Sequence, residues 1–274
     1  MPAFWRRFRR NRAAVLGAGL LALVGTVALA GPALYRVDPW ELAGRPFSPP
    51  SGQFPLGTDT LGRDLAAGLV HGARVSLLVG LVATGAALLV GIVLGALAGY
   101  AGGWLDDVLM RFTEFFQTIP SFILAVVLVA IFQPSLTSIV VAIAMVSWPT
   151  VARLVRGEFL ALRHRDFVQA CVALGMPVRA IVFRQILPNA AAPVIVTGSL
   201  MVATAILLES GLSFLGLGDP NVMSWGFMIG SSRTVLRQAW WMSAIPGLAI
   251  LVTVLALNLV GEGLNDALNP RLRR

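Results

Sequence analysis

Apolar runs long enough to cross a bilayer are the feature that most restricts this 274-residue chain. A hydrocarbon core about 30 Å thick takes roughly 20 helical residues. With no water there, each backbone N–H and C=O must bond within its own segment or a closed barrel. Runs at 13–35, 75–100, 116–133, 136–156, 191–216 and 239–262 meet or approach that length. The chain is 57% hydrophobic and 12% charged, about half the ~25% charge of a soluble domain. The reading is an all-α membrane protein with six transmembrane helices.

Charge sets the orientation. The net charge is +8 and all 21 basic residues are arginine. Most of them fall at 6–12, 153–184 and 271–274, which the positive-inside rule assigns to the cytoplasm with both termini. That clustering accounts for the basic balance without nucleic acid. With no Lys there is no GxxxxGK[ST] phosphate loop and no Schiff-base chemistry. Cys171 has no intrachain disulfide partner, and His71 and His164 make no metal cluster with it. Ala28-Leu29-Ala30 resembles a leader cleavage site. However, its apolar run exceeds the usual signal core, so 13–35 is read as the first membrane helix.

The chain divides into 1–73 and 74–274. The first part is an N-terminal tail, a helix and a Pro/Gly-rich extracytoplasmic loop; the second is a five-helix core. Gly80, Gly85, Gly91, Gly95 and Gly99 in the second span suit close helix packing. GGWLDDVLMRFTEFFQTIP reads as a short amphipathic turn before the third span, and Pro149 as a kink in the fourth. Residues 217–238 form a second outer loop; Trp225 within it, and Trp240 and Trp241 just after it, suit the membrane interface.

The inner segment 166–189 is punctuated as no plain anchor needs to be. Asp166 can cap a short helix. Phe167, Ala170, Cys171 and Leu174 share one apolar stripe, with Val168 and Gln169 between them. Gly175 can end that helix left-handed, Pro177 can start another, and Pro188 stops it. Two readings stand on these residues alone: a knob gripped by a cytoplasmic partner, or a helix lying on the membrane surface.

Gln169-Ala170-Cys171, Gly175, Gln185 and Leu187-Pro188 resemble the E-A-A-x3-G-x9-I-x-L-P loop of ABC-importer permeases, departing from it at Gln169, Cys171 and Gln185. FRRNRAAVLG, PLGTDTLGRDL, HGARVSLLVG, LESGLSFLGLGDP and LNPRL, in that order, resemble the dipeptide/oligopeptide/nickel permeases that carry an extended loop after the first span. The resemblance implies a type I ABC-importer permease fold with a cytoplasmic coupling helix, in a prokaryotic inner membrane. It implies a heterodimer with a second permease, two cytoplasmic ATPase domains holding ATP and Mg, and an extracytoplasmic substrate-binding protein. This chain itself would be no enzyme and hold no cofactor. Its cargo would be a di- or oligopeptide, with nickel chelates, glutathione or another small solute as alternatives.

Two sites stay open. In the first outer loop, Thr58 or Asp59 can cap a helix and Arg63 and Asp64 can pair; these residues and Trp225 either fold the loops or meet an outer partner. Within the fifth span, Glu209 either bonds locally, holding a break at Ser210-Gly211, or faces the path and meets a cationic cargo group. A stand-alone channel or secondary transporter would need an internal repeat or a charged homo-oligomeric path, and no repeat is evident. An intramembrane enzyme would need His, Asp or Ser clustered on facing spans.

Overall fold

The structure is a computed structural model that describes residues 2–268; of the LNPRL stretch only Leu268 falls within it. A short basic helix, α1 (Pro2–Arg10), precedes α2 (Arg12–Leu34), α3 (Leu65–Ala101), α4 (Gly103–Thr118), α5 (Ser121–Phe132) and α6 (Leu136–Arg163). Then come α7 (Asp166–Ala173), α8 (Val178–Ala180), α9 (Leu187–Leu212), α10 (Trp225–Ser232) and α11 (Trp241–Leu268). π-helical turns at Ile181–Ile186 and Ser213–Leu217 bracket α9. Among the described residues five helical runs are long and apolar enough to cross a membrane, and there are six if the pair α4–α5, bent by 84°, counts as one broken span.

That broken pair departs from the expected third span. α5 has 12 residues, about 18 Å of helix, too short to cross alone. The preceding amphipathic stretch is a 16-residue helix, not a turn. Its end has a local cause: Pro120 forces Ile119 into an extended conformation (φ −91°, ψ 128°).

The second span also begins ten residues before the expected position 75, so the outer loop is 36–64. Asp64 caps α3, accepting from the Ala66 N–H at 2.8 Å. Leu65, Ala67, Gly68, Gly72 and Ala73 are buried, with Gly68 against Met228 and Gly72 against Trp225. A polar-looking stretch thus conceals a helical extension that carries α10.

α3 and α6 lie together along their length because α3 presents a glycine stripe. A Cβ on Gly91 would fall 2.5 Å from Val151 Cβ, and one on Gly99 2.6 Å from Phe159 Cβ; Gly95 meets the Ala152 carbonyl. Such contact is open only to residues without side chains. Gly80 packs on α9 instead, while Gly85 meets nothing. α2 rests on α11, with Gly17 against Leu259 and Asn11 donating to the Asp266 carboxylate at 3.0 Å. α6 continues through Pro149.

Candidate functional site

Two constellations stand out, at opposite ends of α9. The first is α7. Asp166 does not cap it: the N-cap is Arg165 in extended conformation, no side chain closes the turn, and Asp166 occupies the first helical position. Its carboxylate still lies by the positive helix end. Gly175 has φ +70°. The Gly175 N–H bonds to the Val172 carbonyl and the Met176 N–H to the Cys171 carbonyl, the paired bonds that seal a helix on a left-handed residue.

The expected stripe divides in two. Val168, 1% exposed, joins the buried cluster of Phe159, Ile181 and Ile186, and Cys171 packs at its margin. Phe167 and Leu174 are 40% and 81% exposed, with Ala170 exposed between them. Val168 therefore mounts the helix while Phe167 and Leu174 face outward. Gln169 adds a tie that a carboxylate could not make: its amide donates to the Arg163 carbonyl at 3.0 Å.

Pro177 is an N-cap rather than a first helical residue, and Pro188 does not stop the helix. Val178–Leu217 is one run of 40 residues. Ahead of Pro188 the chain widens, the Leu187 N–H reaching the Val182 carbonyl. A wider turn relieves the clash that a proline ring meets inside an α-helix.

The second constellation surrounds Glu209, which is 2% exposed. Oε1 accepts from the Ser224 hydroxyl at 2.7 Å and the Ser213 hydroxyl at 3.0 Å. Ser210 approaches Oε2 at 3.4 Å while donating to the Ile206 carbonyl at 2.9 Å. Ser224 also caps α10, accepting from the Phe227 N–H at 2.9 Å. A Cβ on Gly226 would lie 2.5 Å from Oε2, so only glycine lets α10 start this close to the carboxylate. The break expected at Ser210-Gly211 occurs instead at Gly216 (φ +86°).

The outer-loop candidates are mostly internal. Thr58 is fully buried; its hydroxyl donates to the Arg45 carbonyl at 2.7 Å and accepts from the Ser48 N–H at 2.9 Å. Asp59 forms a local turn, accepting from the Leu61 and Arg63 N–H groups. Neither residue caps a helix; Asp64 does, and it also accepts from the Tyr35 hydroxyl at 2.5 Å. Arg63 and Asp64 do not pair: among the described residues the one ion pair is Arg156–Asp106. Arg63 instead lies 4.6 Å from the Trp40 ring centroid. Trp225 is 2% exposed, its indole donating to the Leu69 carbonyl at 2.9 Å. Trp241 is buried as well, so of the three expected interfacial tryptophans Trp240 alone is exposed.

One group carried no signal in the apolar pattern. On α4, Asp106 is held bidentately by Arg156 at 2.5 and 2.7 Å, and Gln117 accepts from Arg153 at 2.8 Å. Acids and an arginine at helical spacing, 106, 107, 111 and 114, were the available clue. Among the described residues no group of three His, Cys, Asp or Glu side chains could hold a metal.

An exposed short helix lies between two long apolar helices, and the family comparison gives the class, the membrane component of a binding-protein-dependent transport system. The chain belongs to that family: residues 91–274 match the model of the binding-protein-dependent transport system inner membrane component. Residues 3–50 match the N-terminal TM domain of oligopeptide transport permease C. It is a multi-pass inner-membrane permease subunit.

Relatives include the di/tripeptide transport system permease protein DppC of Pseudomonas aeruginosa, 42% identical over 100% of this chain and 93% of the relative. The glutathione transport system permease protein GsiD of Pectobacterium atrosepticum is 38% identical over 98% and 91%. In fold, the chain resembles an inward-facing MetNI methionine ABC transporter chain, with TM-score 0.62 and 18% identity over 74% of this chain and 96% of that one.

Proposed function

We propose that this permease forms half of the path of a peptide importer. Its N- and C-termini and α7 would lie in the cytoplasm and its 36–64 loop and α10 outside. α7 would dock on one of two ATPase domains, which hold ATP and Mg; a second permease completes the path and an outer binding protein delivers cargo. Residues 1–73 would be an appended tail, helix and loop on a core of 74–274. The observation that carries the reading is α7 itself, which presents Phe167 and Leu174 outward while Val168 anchors it. A few buried anchors usually decide such docking. The peptide cargo is supported by the names of the DppC relatives. The GsiD relative favours glutathione, itself a peptide-like solute, as the second reading.

Reconstitution tests this. Vesicles holding this chain alone, or this chain with only the ATPases, should take up no dipeptide. Uptake should appear with the second permease, the ATPases and the binding protein together. Solute flux through the single chain would instead support a channel.

A further inference from the structure

α4 carries an exposed strip of charge on an otherwise apolar helical bundle. Phe112 stacks on Trp148, with centroids 5.8 Å apart, and Phe116 meets the same ring edge-on at 5.4 Å. The Asp106–Arg156 pair clamps the helix across α6. That mounting leaves Asp107, Arg111 and Glu114 exposed on the other edge, at i, i+4 and i+7, without ion-pair partners among the described residues. With Arg153, Arg156 and Met110 they line a cavity of about 540 Å³, within the ~300–1,000 Å³ of small-molecule sites.

Hydrocarbon is a poor neighbour for these groups, since ionisable residues at membrane depth face water-filled paths or protein. Anionic headgroups would suit Arg111 and Arg153 but be repelled by Asp107 and Glu114. A solute bearing both charges fits all four. The Cβ atoms at i and i+4 stand about 6 Å apart, of the same order as the ~7 Å between the ends of an extended dipeptide.

Resting on the peptide-importer reading, we propose that this strip lines the cytoplasmic half of the path and receives zwitterionic cargo. Asp107 and Glu114 take ammonium groups, and Arg111 and Arg153 take carboxylates. The Asp106–Arg156 pair only positions them.

The test uses the complete transporter in vesicles, fed either dilysine or diglutamate. Asp107→Asn with Glu114→Gln should lower dilysine uptake about fivefold relative to diglutamate. Arg111→Gln with Arg153→Gln should shift the ratio the other way. A role confined to packing would depress both peptides equally, and that result, or an unchanged ratio in both variants, overturns the proposal. If the wild-type complex imports neither peptide, the peptide reading falls, and this one with it.

Discussion

Glu209 is 2% exposed and its Oε1 accepts from two serine hydroxyls of its own chain, which leaves little access for a passing solute. Glu209→Gln keeps a carbonyl acceptor for Ser224 and should preserve assembly and much of the uptake. Glu209→Leu strands two buried hydroxyls, at about 1–3 kcal/mol each, and should damage both. Loss of uptake in the Gln variant with the complex intact would point to a charge contact with cargo instead. Tyr35 supplies a pH-dependent counterpart. Its hydrogen bond to Asp64, then burial and the carboxylate charge, push its pKa up to about 12. The folded protein thus holds this proton more tightly than the unfolded chain, where tyrosine titrates near 10. The contribution is complete below pH ~10 and is lost as pH rises through about 12. Ultraviolet titration should show a late-ionising tyrosine that disappears in Tyr35→Phe. Glu209 was legible as a lone acid in an apolar run, and Ser213 as its i+4 neighbour. Ser224 was not, because no periodicity relates a loop serine to a helix 15 residues earlier. Trp225 misled for a similar reason: a Trp-rich loop suggests the interface, but its indole bonds to a carbonyl 156 residues away.

At the scale of elements, α7 is short enough that tertiary contacts must hold it. Val168 supplies them from below, and the bonds to Gly175 and Met176 close its end. Changing Phe167 or Leu174 to Asp removes outward apolar surface while the mounting stays. Each variant should still insert and pair with the second permease. Transport should fall at least tenfold, the scale of losing a buried interface anchor worth ~2 kcal/mol, with ATP hydrolysis uncoupled or the ATPases released. Normal uptake by both variants would remove α7 from the coupling role. Its glycine stop was readable because only a left-handed residue ends a helix in that way. The division of its stripe was not, since spacing alone does not say which edge meets the rest of the bundle. The α4–α5 bend was written in Ile119-Pro120, yet hydropathy hid it by blending an amphipathic helix into an apolar one. Pro188 reads as a stop on local rules, and the widened turn ahead of it removes the reason to stop.

Across the whole molecule, one helical run extends from Val178, just after α7, past Glu209 to the break at Gly216. It makes about 57 Å of helix, nearly twice the hydrocarbon thickness. A shaft of that kind implies thermodynamic reciprocity. If nucleotide-loaded ATPases raise the affinity of the outer face for its binding protein by some factor, the binding protein must raise ATPase affinity by the same factor. Softening the shaft should shrink both numbers together. Ile195→Gly with Thr197→Gly, each costing about 0.5–1 kcal/mol of helix stability, should bring both towards one in binding measurements on the assembled transporter. Factors untouched by the softened shaft would show that the message crosses the membrane by another route. If they fall in step, the two faces share one free energy, and the importer can sense a loaded binding protein outside without any ligand having crossed.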